Sequence, residues 1–323
     1  MNVVSLFNGM NTGRQALENI GIKVNKYYSS EIKPYAIQLT QHHFPDTIQV
    51  GDVTKWKEWD IDWKSIDLIL SGSPCQDLSG AGKRAGINGS KSSLFFVFVE
   101  ILEHIKSLNP KVLFLQENVG SANKLDVGIM SRALGVYPVR INSSLLTAQL
   151  RDRYYWSNIR TRQDGMFGDI ITDIPQPKDK GIMFKDIITE GIVERVKALA
   201  LLESESRVCT SQKSIKKRAK KQFINIVYQI NSSKESGGKQ PYMQNRIYDV
   251  KGKSVALTEC MANKIKYQTE DKIVRTVNKI EMCRLQGFPD NYCDILTTAK
   301  AGSLLGDGWT LPIIEHILSF AKF

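Results

Sequence analysis

The cysteine best placed for chemistry is Cys75, in the segment Gly72–Cys75. The apolar run Asp67–Leu70 just before it has the length of a buried strand, and the Gly, Ser and Pro residues that follow predict a loop. A cysteine on a loop at the end of a buried strand can act as a nucleophile in its thiolate form. The alternative is a small buried apolar residue, which is the usual role of a free cysteine. The other motifs decide between the two.

Three further polar groups follow later segments. Glu117 stands just after a predicted strand, Lys111–Leu115, so a parallel sheet would bring it to the same rim as Cys75. Arg151 and Arg153 are two positions apart on a segment predicted to be extended, and we expect both side chains on one face. The alternative for the two arginines is an exposed turn with a local ion pair.

Glycines and acids at the ends of earlier strands favour a nucleoside cofactor. A predicted strand, Val3–Phe7, leads through the loop Asn8–Gly13 into a predicted helix, Arg14–Ile20, where backbone N–H groups can approach a ligand. Glu31 ends the second strand and suits a ribose hydroxyl, and Asp52 ends the third and suits an adenine amino group. The alternative for Glu31 is an ordinary glutamate at a helix start. The sequence has no Gly-Lys-Ser/Thr phosphate loop, so ATP hydrolysis is not favoured.

Strands and helices alternate up to about residue 160, which predicts an α/β fold with a parallel sheet and helices on both faces. An antiparallel pair, Ser143–Leu150 and Tyr154–Ile159, is predicted near its end. The alternation then weakens, which predicts a smaller second domain of loops and short strands. We therefore predict a catalytic, cofactor-binding domain over 1–160 with 290–323, and a second domain over 161–289.

Composition narrows the class of protein. The chain has 323 residues, of which 42% are hydrophobic and 24% charged. It shows neither an apolar stretch of membrane-spanning length nor a leader pattern, so a cytoplasmic protein is expected. Five scattered cysteines and four histidines without a Cys-x-x-Cys pair predict neither a disulfide framework nor a metal site. A net charge of +11 favours a nucleic acid partner. A basic run at 213–221 is either a phosphate contact or a solvated helix face.

Together these motifs resemble those of the C5-cytosine DNA methyltransferases. The ordered blocks are SLFNGMNTG at 5–13, Glu31 with Asp52, GSPCQDLSGAGKRAG at 72–86, QENV at 116–119, QLRDR at 149–153 and RLQGFPDNY at 284–292. The first motif, with Ser5 and Asn11-Thr12, and the last, GDGWT at 306–310, are closer to the animal de novo DNA methyltransferases. Several blocks in this order and spacing are a specific signal, unlike any single one.

The resemblance implies a Rossmann-like sheet that binds S-adenosylmethionine, with a target recognition domain that holds duplex DNA. It also implies that Cys75 attacks C6 of a flipped-out cytosine, a step that opens C5 to the methyl group and leaves S-adenosylhomocysteine as product. Glu117 would bind the ring N3 and the exocyclic amine. Arg153, helped by Arg151, would bind the ring O2. The segment Arg275–Pro289 would support the recognition domain.

Further residues are carried over from the resemblance. The expected cofactor contacts are Phe7, Asn8, Gly9, Thr12, Glu31, Ile32, Asp52, Val53, Pro74, Gly308 and Trp309. Trp309 would pack where valine is usual. The expected DNA contacts are Gln76, Ser79, Lys83, Arg84, Lys213, Lys216, Lys217 and Arg218.

Other interpretations of the sequence stay open. The same scaffold serves a branch that methylates transfer RNA, and a non-catalytic DNA-binding relative is a third possibility, although intact Cys75, Glu117, Arg151 and Arg153 count against it. A small-molecule methyltransferase is disfavoured by the basic charge. We also expect the protein to be a monomer, with a restriction endonuclease as a possible partner.

Overall fold

In the computed structural model the chain forms two compact units. Unit 1 comprises Met1–Asn142, Asp152–Pro177 and Gly308–Phe323, and unit 2 comprises Ser143–Arg151 and Lys178–Asp307. The structure describes residues 1–74, 94–165, 168–189, 246–250, 252–258, 265–268 and 274–322. The assignment of cofactor binding and target recognition to separate domains stays a prediction.

Unit 1 is built on a seven-stranded sheet in the order β3-β2-β1-β4-β5-β7-β6. Its strands are β1 (Asn2–Leu6), β2 (Lys26–Ser30), β3 (Ile48–Gln49), β4 (Leu68–Ser71), β5 (Leu113–Val119), β6 (Val139–Asn142) and β7 (Asp152–Ser157). The first five strands in chain order pair in parallel, as predicted, whereas β7 is antiparallel to both of its neighbours. The outcome is a mixed sheet whose parallel part ends at β5.

Helices connect these strands and cover the sheet. They are α1 (Thr12–Asn19), α2 (Pro34–His43), α3 (Leu94–Leu108), α4 (Lys124–Leu134) and α7 (Leu311–Leu318). Helix α3 buries five large apolar side chains, Phe95, Phe98, Ile101, Leu102 and Ile105. A short hairpin of β8 (Thr161–Asp164) and β9 (Asp169–Thr172) also belongs to this unit.

Close approach of α1 to the sheet depends on a glycine. A Cβ atom added at Gly13 would lie 2.3 Å from Leu70 Cδ1 and 3.1 Å from the Tyr27 hydroxyl. Gly13 therefore lets the first helix pack directly on β4 and β2, as the last glycine of a nucleotide-binding loop does.

The antiparallel pair was predicted in the wrong place. The strands that pair with β7 are β5 and β6 (Val139–Asn142), and Ser143–Leu145 forms a 3-10 turn instead of extending β6. The Ser143 carbonyl accepts hydrogen bonds from the backbone N–H and the hydroxyl of Thr147. Serine and threonine side chains that bond the nearby backbone compete with strand formation, which explains the shift.

Unit 2 contains short strands and two helices within its described residues. The strands β10 (Ile247–Asp249), β11 (Lys266–Gln268) and β12 (Val274–Thr276) form a small sheet, and the helices are α5 (Lys279–Gln286) and α6 (Thr298–Asp307). Glu281 is fully buried in α5, and its Oε1 atom accepts bonds from the Thr189 N–H and the Tyr267 hydroxyl at 3.0 Å each. This carboxylate joins α5 to two other segments of the same unit.

Candidate active site

The loop that follows β1 has an unusual backbone. Phe7, Gly9 and Asn11 all have positive φ angles, of 55°, 57° and 63°. Non-glycine residues in this region are strained by about 1–3 kcal/mol each, and such strain concentrates where the backbone must meet a ligand. Asn11 is fully buried, and its side-chain amide has no hydrogen-bond partner among the described residues.

Glu31 faces this loop from the end of β2. Its Oε2 atom accepts a hydrogen bond of 2.7 Å from the Gly9 N–H. Its Oε1 atom accepts bonds from the backbone N–H groups of Ile32 and Lys33, at 2.8 and 2.9 Å. The parallel pairing of β1 with β2 therefore brings together two of the predicted cofactor residues, and it fixes the carboxylate at the rim of the sheet.

Of the other predicted cofactor residues near this loop, two are buried and one is exposed. Asn8 points into the interior, where it bonds the Thr40 and Tyr27 hydroxyls, and Thr12 is buried at the start of α1. Ile32, in contrast, is 71% exposed.

Asp52 lies at the next strand end and caps a short 3-10 turn. Its Oδ1 atom accepts from both the N–H and the hydroxyl of Thr54, at 2.9 Å each. These two bonds lower the pKa of Asp52, so the carboxylate is ionised at neutral pH. Val53, which follows it, is buried.

These groups fit S-adenosylmethionine. The Glu31 carboxylate suits ribose hydroxyls, Ile32 offers an apolar surface for an adenine ring, and ionised Asp52 can accept from the adenine amine. The unsatisfied amide of Asn11, in a strained loop beside Glu31, is a further polar group that a ligand could satisfy.

The segment that leads to Cys75 is held by the strand that carries Glu117. Gln116 Nε2 donates to the Ser73 hydroxyl at 2.9 Å, and Asn118 Nδ2 donates to the same hydroxyl at 3.4 Å. All three side chains are buried. Cys75 itself lies outside the described residues, and Pro74 is the last described residue before it.

Glu117 was predicted to follow the strand but lies within β5, opposite Tyr155 of β7. Its carboxylate has a donor on each oxygen: Arg153 Nε at 2.8 Å from Oε1, and the indole Nε1 of Trp309 at 3.2 Å from Oε2. The side chains of Glu117 and Arg153 are only 11% and 16% exposed. This is a charge-assisted pair largely shielded from water.

Arg151 has a different set of partners in unit 2. Its NH1 atom donates to the carbonyl oxygens of Leu257 and Gly306, at 2.8 and 3.1 Å, and the side chain is buried. Gln149, two residues earlier, donates through Nε2 to the Leu285 carbonyl at 2.7 Å. Both side chains are held by bonds to backbone carbonyls, whereas Arg153 bonds an acidic side chain.

The predicted DNA contacts cannot be placed. Gln76, Ser79, Lys83, Arg84, Lys213, Lys216, Lys217 and Arg218 all lie outside the described residues. In the part of the chain that the structure describes, no group of three or more His, Cys, Asp or Glu side chains could hold a metal ion. Within that same part, no helix is both long and apolar enough to cross a membrane.

Sequence reasoning missed Ser73, Gln116 and Asn118 as parts of the site. Alternation along a strand could have found two of them, because Gln116 and Asn118 must share the face opposite to Glu117. The bond between Trp309 and Glu117 joins residues 192 positions apart, and no local pattern indicates it.

Comparisons with known proteins agree on one family. The family model described as C-5 cytosine-specific DNA methylase matches residues 1–321. The orphan methyltransferase M.SPRI of Bacillus phage SPR is 31% identical over 254 residues, which is 72% of this chain and 53% of that protein. The Type II methyltransferase M1.ScrFI of Lactococcus lactis subsp. cremoris is 26% identical over 327 residues, 98% of this chain and 76% of the relative.

This chain covers only part of several relatives: about half of the phage protein, and 27% of the Type II methyltransferase M.NlaIV of Neisseria lactamica. Among solved structures, the Entamoeba histolytica methyltransferase EhMeth has a TM-score of 0.64 at 17% identity, covering 99% of this chain and 97% of that one. S. pombe Dnmt2 has a TM-score of 0.61 at 15% identity, with the same coverage. These likenesses confirm the predicted Rossmann-like methyltransferase fold. The match over nearly the whole length shows that the chain belongs to the C-5 cytosine-specific DNA methylase family, whose methyl donor is S-adenosylmethionine.

Proposed function

We propose that this chain is a DNA (cytosine-5-)-methyltransferase that methylates C5 of a cytosine flipped out of duplex DNA. The observation that carries the proposal is the shielded pair of Glu117 and Arg153, which lies on the strand pair that also holds the segment leading to Cys75. A carboxyl group and a fixed cation, on a strand pair bonded to the segment that leads to Cys75, are the groups needed to bind a cytosine edge and stabilise charge on its ring.

The first step that we propose is attack of the Cys75 thiolate on C6 of the cytosine. A C–S bond forms, and the electron pair of the C5–C6 double bond moves into the ring, which makes C5 nucleophilic. S-adenosylmethionine supplies the electrophilic methyl group. Loss of the C5 proton to a base, followed by breaking of the C–S bond, restores the double bond and the thiolate.

Glu117 and Arg153 would stabilise the charge that develops during this attack. The Glu117 carboxyl would bind N3 and the exocyclic amine, and the Arg153 guanidinium would face O2, where a fixed cation stabilises negative charge. Because Arg153 also bonds Glu117, one cation both holds the carboxyl and interacts with the ring. We propose that Arg151 stabilises the backbone around it and does not bind the base, since its guanidinium bonds the carbonyl oxygens of Leu257 and Gly306.

For the cofactor, we propose that Glu31, Ile32 and Asp52 hold the ribose and adenine, with the loop after β1 around the methionine portion. Unit 1 would then carry the cofactor and the chemistry. Unit 2 would recognise duplex DNA. A cytoplasmic monomer that works beside a restriction endonuclease stays a prediction from sequence.

Product analysis tests the proposal. The protein would be incubated with S-adenosylmethionine labelled in its methyl group and, in separate reactions, with duplex DNA of mixed sequence and with transfer RNA. We expect labelled 5-methyldeoxycytidine after digestion of the DNA. Labelled 5-methylcytidine from RNA alone would favour the transfer RNA branch, and DNA binding without any labelled product would favour a non-catalytic relative.

A further inference from the structure

Trp309 occupies a position between two parts of the candidate site. On one side its indole Nε1 donates to Glu117 Oε2 at 3.2 Å. On the other side it contacts the backbone at Gly72, three residues before Cys75. A Cβ atom added at Gly72 would lie 2.7 Å from Nε1, 3.2 Å from Cε2 and 3.3 Å from Cζ2 of Trp309. Only a glycine leaves room for the indole here.

Closely packed elements hold the indole in this place. The next two residues, Thr310 and Leu311, are each 1% exposed, and Leu311 begins α7. The buried face of α7 contains Ile313, Ile314 and Ile317. Because the residues that follow Trp309 are closely packed, its side chain has little freedom to move. It can therefore orient a neighbouring side chain.

A carboxyl group can rotate about the bond that joins it to the rest of the side chain. A single hydrogen-bond donor restricts this rotation only in part. Arg153 Nε bonds Oε1, and Trp309 Nε1 bonds Oε2. The two donors together fix the plane of the Glu117 carboxyl, which decides where its oxygens point when a base enters.

We infer that Trp309 is a positioning residue that orients Glu117 through its indole N–H, and that residue 72 is a glycine to admit the indole. The inference rests on the proposed function for its effect on turnover. It differs from the expectation that Trp309 serves mainly as a contact for the cofactor.

The decisive variant is Trp309→Phe, which keeps a flat ring beside Gly72 and removes the N–H donor. Trp156→Phe is the matched control, because the buried Trp156 indole donates to the Ser131 hydroxyl at 3.0 Å. We expect kcat of Trp309→Phe to fall about tenfold, as for loss of one hydrogen bond, with KM for S-adenosylmethionine within about twofold of the original. The control should retain its kcat.

A double variant separates positioning from cofactor binding. If Trp309 acts through the Glu117 carboxyl, Trp309→Phe should change kcat by less than about twofold in a Glu117→Gln background. A similar loss in both backgrounds, or a rise of KM for S-adenosylmethionine in both, would overturn the inference.

A measurement without turnover distinguishes this inference from the proposed function. The protein has five tryptophans, so a sample labelled with ¹⁵N-tryptophan should give five indole signals, and Trp309→Phe identifies the one from Trp309. We expect Glu117→Gln to shift that signal and to leave the Trp156 signal in place. An unshifted Trp309 signal would overturn the inference. A clear shift in a protein that methylates neither DNA nor RNA would overturn the proposed function alone.

Discussion

At the scale of single residues, the proposed chemistry depends on one charge-assisted pair. Arg153 approaches Glu117 through Nε, the nitrogen within its chain, and donates through NH1 to the Asp152 carbonyl at 2.8 Å. A planar guanidinium can make both bonds and still present an N–H edge to a substrate, whereas an ammonium group is a single point of charge. Arginine at this position is therefore not interchangeable with lysine.

Arg153→Lys tests this claim. We expect kcat/KM to fall by about 10²-fold, because the variant keeps the charge but loses the donor geometry that stabilises developing negative charge. The same change at Arg162 is the control, since the Arg162 side chain is 55% exposed and forms ion pairs with Asp164 and Asp173. Steady-state methylation kinetics would measure kcat/KM of both variants. A nearly unchanged kcat/KM in Arg153→Lys would contradict the proposed role of the guanidinium.

At the scale of elements, close packing of α1 on the sheet sets the position of the cofactor loop. Gly13 lies in the first turn of α1, directly after this loop, and a Cβ atom added there would lie 2.3 Å from Leu70 Cδ1 and 3.1 Å from the Tyr27 hydroxyl. A methyl group at this point has no space, so it must push the helix, or its neighbours, away from the sheet.

Gly13→Ala should lower the free energy of unfolding by about 1–3 kcal/mol. Gly128→Ala in α4 is the matched control, because the nearest atom to its added Cβ is Arg132 NH1 at 3.7 Å. Alanine in an uncrowded helix interior is expected to stabilise by about 0.5–1 kcal/mol. Urea denaturation would measure both variants, and equal effects of the same sign would refute the packing argument.

A buried lysine holds three segments of unit 2 together. Lys253 is fully buried, and its Nζ atom donates to the carbonyl oxygens of Ser144, Thr147 and Ile182. Burial is the main cause that lowers the pKa of Lys253 to about 8, against the opposing influence of Asp179 and Asp186. The first of these segments leads into Gln149 and Arg151.

The lowered pKa predicts how stability depends on pH. Above about pH 8 the folded Lys253 has lost its proton while the unfolded chain still binds one, so this residue makes stability rise with pH up to about 10.5. Lys253→Met should remove about 1.5 kcal/mol of that rise between pH 8 and 9.5. Lys180→Met, at an exposed position, should leave the slope unchanged. Parallel slopes for the original protein and Lys253→Met in urea denaturation would show that Lys253 does not titrate in this range.

At the scale of the whole molecule, the net charge of +11 is the feature that bears most on the partner. A polyanion bound by lysines and arginines releases counterions, so binding weakens steeply with salt. The basic run predicted from the sequence lies outside the described residues, so its role has to be tested by binding.

Replacement of Lys213, Lys216, Lys217 and Arg218 by Gln should flatten the salt dependence of duplex DNA binding. The slope of log K against log salt should fall in magnitude by about 0.9 for each phosphate that the variant no longer neutralises. Titrations at several salt concentrations would measure it. An unchanged slope would indicate that the basic run is a solvated helix face and does not contact phosphates.

The sheet and the acids at its rim could be predicted from the sequence because they depend on local patterns. Glu31 follows a buried strand, and its contact with Gly9 follows from parallel pairing of β1 with β2. The bond between Trp309 and Glu117 depends instead on how distant parts of the chain pack. The Ser143 turn depends on side-chain bonds to the backbone that apolar periodicity does not reveal.

Covalent trapping on duplex DNA that carries 5-fluorocytosine, with S-adenosylmethionine present, is the sharpest test of Cys75 as the nucleophile. Fluorine at C5 cannot leave as the proton does, so the enzyme should stall as an adduct. We expect a stable protein–DNA complex whose tryptic peptide is modified at Cys75, absent in Cys75→Ala and retained in Cys209→Ala. DNA bound without an adduct, or an adduct on another residue, would contradict the assignment of Cys75 as the nucleophile.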